Sequence, residues 1–148
     1  MKRFKATKKG EEHKKESLSR KGRNSRNKGA SFEREVAAMF EQVTGHGFVR
    51  TPQSGGFHKN KTSAEHFRGD IVPADRDVDF IFHVETKNAK TWSFPKWMAQ
   101  AEEDAPEGKT PLVVAHKFGT SDTYALININ DLLKLIPPET IASLKDNA

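Results

Sequence analysis

Residues 80–89 read Phe80-Ile81-Phe82-His83-Val84-Glu85-Thr86-Lys87-Asn88-Ala89, an apolar, β-prone run that ends in an acid and a base. Phe80, Ile81, Phe82 and Val84 mark it as a buried strand. Side chains two apart on a strand share a face and stand roughly 7 Å apart along it, so Glu85 and Lys87 lie side by side at the strand's end. A Glu-x-Lys pair on an exposed strand is common and carries little alone. What lends it weight lies upstream.

Gly69-Asp70-Ile71-Val72 is a second short β-prone run, and it opens with a carboxylate. Between the two runs, residues 73–79 (Pro-Ala-Asp-Arg-Asp-Val-Asp) form a polar turn that folds one against the other and brings Asp70 toward Glu85. Two carboxylates and a lysine at the ends of paired strands suit Mg²⁺, which takes oxygen ligands, often one or two carboxylates completed by phosphate and water. A cation so held activates water and stabilises the leaving oxygen of a phosphodiester. A neighbouring lysine orients or deprotonates that water, or stabilises the charge that develops.

Asp70, fourteen intervening residues and then Glu85-Thr86-Lys87 resemble the PD-(D/E)xK nuclease signature, with Gly69 where that pattern has proline. Residues 28–35 (Lys-Gly-Ala-Ser-Phe-Glu-Arg-Glu) and 49–56 (Val-Arg-Thr-Pro-Gln-Ser-Gly-Gly) are similar to the opening of archaeal Hjc-type Holliday junction resolvases and their phage relatives. The resemblance covers residues 28–118. It implies a restriction-endonuclease-like α/β core and a site in which Asp70 and Glu85 are metal carboxylates. The Thr86 carbonyl is a backbone ligand, Glu33 completes the site directly or through water, and Lys87 is the catalytic lysine. Ser54 corresponds to a loop serine near the active site and Gln100 to a glutamine in the helix after the active strand. Arg34 and Arg50 correspond to basic residues on DNA, with Lys28, Lys59, Lys61 and Arg68 as further basic contacts. The implied cofactor is Mg²⁺, with Mn²⁺ as a substitute. The implied partner is branched double-stranded DNA, a four-way junction cut by a C2 homodimer in recombination and repair. One departure is the polar stretch 55–69, with His58, Lys59, Lys61, His66 and Arg68, which is longer than the loop the resemblance leads one to expect.

The residues around Glu33 read independently as a helix. Over residues 30–44, Phe32, Val36, Ala37, Phe40 and Val43 recur every three or four positions, with Ser31 as N-cap and Gly45 as stop. Glu33 falls at the border of that stripe, while Glu35 points away. A glutamate near a helix start is favoured by the macrodipole in any case, so Glu33 gains its significance from Asp70 and Glu85.

Composition divides the chain. Residues 1–28 hold twelve Lys or Arg against three Glu, a net +9, whereas the other 120 residues carry a net −4. With only Met1, Phe4, Ala6 and Leu18 as apolar members, that segment is expected to be a disordered basic arm, residues 29–148 forming the nuclease domain. A basic arm suits the phosphate backbone, where counterion release gives affinity without sequence preference. A solubilising or localising tail is the plainer alternative. No apolar run reaches membrane-spanning length, and the arm lacks the apolar region of a signal peptide. The absence of cysteine fits a cytoplasmic protein, in the host cytoplasm if phage-encoded.

Downstream, the pattern predicts a loop over 91–95 and a helix over 96–104 with Trp97, Met98 and Ala101 inward. Strands follow over 111–118 and 124–129, then short helices over 131–136 and 139–144 parted by Pro137-Pro138. The helix between the strands at 80 and 111 has the length of a parallel crossover, which makes the sheet mixed. The histidines lack zinc-site spacing. His83 shares the face of Glu85, as a neighbour of the site or as a packed side chain. Trp92 and Trp97 read as core or dimer-contact residues, and Lys90, Lys96, Lys109 and Lys117 as a DNA path or a solvated surface.

Three functions remain open. The first is a junction resolvase making paired symmetric nicks, and the second a restriction-type or repair endonuclease acting on duplex, flap or single-stranded DNA. The third is a non-cleaving DNA-binding protein on a nuclease fold; the intact acidic and basic positions count against it.

Overall fold

The structure is a computed structural model, and it describes residues 8–51 and 68–140, with the side chains of residues 22 and 24 onward. Among the described residues eight elements follow in order: α1 (Lys8–Thr44), β1 (Phe48–Arg50), β2 (Ile71–Pro73), β3 (Phe82–Ala89), α2 (Phe94–Asp104), β4 (Thr110–Lys117), β5 (Thr123–Leu126) and α3 (Ile129–Leu135). The strands form one sheet in the order β1-β2-β3-β4-β5. All neighbours are antiparallel except β3 and β4, which are parallel and joined through α2. This is the α/β architecture with a mixed central sheet and flanking helices.

The hydrophobic periodicity of residues 30–44 places α1 against one face of the sheet. Phe32, Val36 and Ala37 are buried there with Phe48, Ile71, Val84, Leu112 and Val114. At the far end, Phe40, Phe48, Phe80 and Phe82 join in ring contacts 4.9 to 5.7 Å between centroids. The helix ends where expected: Gly45 takes φ +72°, which only glycine adopts cheaply, and its amide bonds to the Glu41 carbonyl at 2.9 Å.

Its start differs. The helix begins at Lys8 and runs unbroken through Ser31, so the expected N-cap lies inside it and donates its hydroxyl to Glu35 at 3.3 Å. Residues 8–28, expected to be disordered, are helical. Lysine, arginine and glutamate are good helix formers, and no proline precedes Pro52 to stop the propagation of a helix already anchored by packing further along. The smaller differences have local causes. Pro95 belongs to the first turn of α2 rather than to the loop before it, a position that suits a residue with no amide hydrogen. Ile81 is 42 % exposed, not buried, because β3 begins only at Phe82. β5 ends at Leu126, short of the expected 129, where Asn128 caps α3 through its side chain. Of the second terminal helix expected at 139–144, residues 141–144 lie outside the described residues. Among the described residues no helix is long and apolar enough to cross a membrane.

Candidate active site

The alternation of β3 sends Val84 into the α1-side core and His83, Glu85 and Lys87 to the opposite face, toward α2. The same face of β4 carries Val113 and Ala115, and α2 covers it with Ala101; all three are fully buried. Small residues beneath the helix leave a polar cavity of about 180 Å³ lined by Asp70, His83, Glu85, Lys87, Gln100 and Asp104.

Asp70 is fixed from both sides. Its amide donates to the Val84 carbonyl at 2.7 Å, and its own carbonyl accepts from the Thr51 amide at 2.9 Å. Buried Thr51 also donates its hydroxyl to the Gly69 carbonyl at 2.8 Å. Gly69 has φ +95°, and a Cβ there would lie 2.9 Å from the Val84 carbonyl oxygen. Proline, locked near φ −65°, cannot occupy this conformation, which accounts for the departure from the signature at that position.

The Asp70 Oδ2 atom accepts both the Thr86 amide, at 2.7 Å, and the Thr86 hydroxyl, at 2.9 Å. Among the described residues both hydrogen bonds of this side chain fall on Oδ2, which leaves Oδ1 as a free ligand atom. Burial pushes the Asp70 carboxyl above its ordinary range, the nearby Glu85 charge adds to this, and the Thr86 bonds only partly oppose it.

Glu85 is held differently. Its Oε2 accepts from Lys87 Nζ at 3.2 Å, and its Oε1 stands 3.5 Å from His83 Nε2. Burial works to raise its pKa, but His83 and Lys87 together outweigh it and hold the carboxyl below the ordinary range. The His83 side chain is 1 % exposed, and neither ring nitrogen completes a hydrogen bond among the described residues. The contact with Glu85 therefore has ion-pair distance without hydrogen-bond alignment. Lys87 Nζ also donates to Gln100 Oε1 at 3.2 Å, and Gln100 Nε2 reaches Asp104 Oδ2 at 3.5 Å. A polar chain thus runs from Glu85 through Lys87 and Gln100 to the end of α2.

Charge and donor chemistry together test whether a cation fits. Asp70, Glu85 and Asp104 face the cavity against the single ammonium of Lys87, so its walls carry excess negative charge. Among the described residues no three His, Cys, Asp or Glu side chains form a closed metal cage. One buried and one half-buried carboxylate at an open polar cavity are nevertheless the protein share that Mg²⁺ needs when phosphate and water complete its shell. The donors fit a hard divalent cation and not structural zinc.

The fold brings together Asp70, Glu85, Thr86, Lys87 and Gln100. It keeps Glu33 apart: this carboxylate does not line the cavity and accepts Arg50 Nε at 2.6 Å, although its charge contributes slightly to the raised Asp70 pKa. Arg50, expected on DNA, spends its Nε on that internal pair. Arg34 and Arg68 are exposed, and Lys28 lies against Phe118. Ser54, Lys59 and Lys61 lie outside the described residues. Of the scattered lysines, Lys109 is engaged with Asp79 and the Phe80 carbonyl. Half-buried Trp92 and Trp97 join exposed Phe94 and Tyr124 in an aromatic group at α2. Sequence reading overlooked Asp104 and Thr51. The first has a signal, since it follows Gln100 by four residues and so shares its helix face; the second acts mainly through backbone and has none.

Searches among curated proteins and among solved structures give no match. Residues 24–145, most of the chain and all of the cavity, match the family described as phage putative PDDEXK endonuclease. The chain belongs to that family and is a nuclease of the PD-(D/E)xK superfamily.

Proposed function

We propose that this nuclease is a Mg²⁺-dependent, structure-selective endonuclease that resolves four-way DNA junctions by paired symmetric nicks. The observation that carries the catalytic part is the meeting of Asp70, just before β2, with Glu85 and Lys87 of β3 in one cavity. Asp70 Oδ1, the Glu85 carboxylate and the Thr86 carbonyl would hold the cation. When bound, that ion supplies the charge that lowers the pKa of water and stabilises the leaving oxygen.

The chain's own residues then divide the work. The Thr86 amide and hydroxyl fix the orientation of Asp70, and His83 and Lys87 keep Glu85 ionised. Lys87 Nζ, positioned between Glu85 and Gln100, orients the attacking water and faces the charge that develops on the phosphate. Gln100 holds the ammonium at the cavity mouth and keeps it from collapsing fully onto Glu85.

The substrate part rests on the similarity of residues 28–35 and 49–56 to Hjc-type resolvases and on the basic N-terminal portion. A C2 homodimer would supply two sites related by the symmetry of the junction, acting in recombination or repair in the cytoplasm. The test is a gel assay of a synthetic four-way junction, a matched duplex and a flap, each with Mg²⁺ or EDTA. Paired symmetric nicks confined to the junction are expected. Equal cutting of duplex or flap would make the protein a restriction-type or repair endonuclease, and metal-independent binding without cutting would make it a non-cleaving DNA-binding protein.

A further inference from the structure

Beyond the catalytic cavity, where β3 and β4 end, an open groove of about 330 Å³ lies between α1 and the turn after β4. Asn24, Ser25 and Lys28 of α1 form one wall, and Lys90 and Phe118, just past β3 and β4, form the other. Phe118 is 42 % exposed. Lys28 Nζ lies 4.1 Å from the centre of its ring and Lys90 Nζ 5.6 Å from the same centre.

Two ammonium groups thus converge on one aromatic ring. Its quadrupole attracts each of them but neutralises neither. Lys87, Lys109 and Lys134 each sit against a carboxylate; among the described residues Lys28 and Lys90 have none. The groove is a site with two uncompensated positive charges, and its α1 wall belongs to the segment 1–28 whose sequence carries a net +9. Lys90 follows Lys87 by three residues, an odd spacing that turns the two side chains to opposite faces of the sheet, so the groove opens on the α1 side and the catalytic cavity on the α2 side.

We propose that this groove binds a backbone phosphate of the DNA being cut, with Lys28 and Lys90 as its two ligands. The proposal rests on the nuclease reading and adds a second anchoring point to it. Phosphate contacts of this kind set orientation and affinity and carry no sequence information, so the groove anchors the DNA without choosing its sequence.

The test compares wild type, the double variant Lys28→Ala/Lys90→Ala and the double variant Lys28→Arg/Lys90→Arg. Binding of a labelled four-way junction in EDTA is followed by fluorescence anisotropy across a salt series, and single-turnover cleavage is measured in Mg²⁺ at saturating protein. The alanine pair is expected to make the slope of log affinity against log salt shallower by about one, with the arginine pair restoring it. A neutral methylphosphonate linkage moved along the strand should weaken wild-type binding most at one position and leave the alanine pair indifferent to that position. An unchanged salt slope in the alanine pair, or equal weakening by neutral linkages at every position, overturns the groove. Wild type that binds with the expected slope yet cuts nothing in Mg²⁺ overturns the nuclease reading and leaves the phosphate contact standing.

Discussion

The two faces of β3 carry opposite kinds of chemistry. Toward α1, Val84 is fully buried among Phe32, Val36, Ile71, Leu112 and Val114, a dry apolar layer that stabilises the sheet. Toward α2, alternate residues of the same strand are His83, Glu85 and Lys87, and the cover is Ala101 and Gln100. One face gains stability from packing, and the other gives some up to keep charge next to solvent. The strand can bear this because the apolar layer fixes its backbone, so that Glu85 and Lys87 are aimed by residues that never touch the cavity.

Substitutions on the two faces should therefore separate activity from stability. The largest effect is expected from Glu85→Gln, which should reduce cleavage to background while circular dichroism and melting temperature stay near wild type; loss of the fold would mean that this face, too, is structural. Lys87→Ala comes next, with a fall of about 10² to 10⁴ in single-turnover rate and unchanged DNA binding, checked by comparing rate and affinity on one substrate. Val84→Ala should do the reverse, costing about 2–3 kcal/mol of stability through lost burial and a residual cavity with the rate at low temperature preserved. Urea unfolding beside a cold cleavage assay measures both.

A subtler separation concerns Asp70. Its carboxyl is raised by burial first and by the Glu85 charge second. Between the ordinary and the raised value the folded chain keeps a proton that the unfolded chain has lost, so this group's contribution to stability falls as pH rises through that window. Above it, ionised Asp70 destabilises the metal-free protein. Asp70→Asn is expected to raise the melting temperature by a few degrees at pH 8 in EDTA and by less at pH 4, and to abolish the additional rise that Mg²⁺ gives wild type by mass action. Equal melting temperatures at pH 8 would show that the Thr86 bonds fully offset the burial of this charge. The smallest effect is expected from Gln100→Ala, about tenfold in rate, the worth of one hydrogen bond to a charged group.

Much of this division could be read from residues 69–89. Period-two alternation places Glu85 and Lys87 on one face whatever the rest of the chain does, and the polar turn between Asp70 and Phe80 leaves little choice but to fold the two runs together. The mixed sheet follows as well, because a helix-length segment between two strands makes them parallel. Less legible were features that depend on partners distant in sequence. The Glu33–Arg50 pair, 2.6 Å apart, joins an acid expected at the metal to a base expected on DNA, and no local pattern announces it. The reach of α1 back to Lys8 was concealed by composition, because polarity signals poor burial but says little about helix propensity. The apolar run at Phe80, Ile81 and Phe82 also overstated the strand: Ile81 lies before its first paired residue and faces solvent.

The central claim is that the cavity of Asp70, Glu85 and Lys87 cuts DNA with a divalent cation. Its most direct test is single-turnover cleavage of an end-labelled four-way junction across a Mg²⁺ titration, with wild type beside Glu85→Gln and an EDTA control. Saturable, Mg²⁺-dependent cutting by wild type, absent in EDTA and at background in the variant, is the predicted result; cutting that persists in the variant or in EDTA would place the chemistry elsewhere on the molecule.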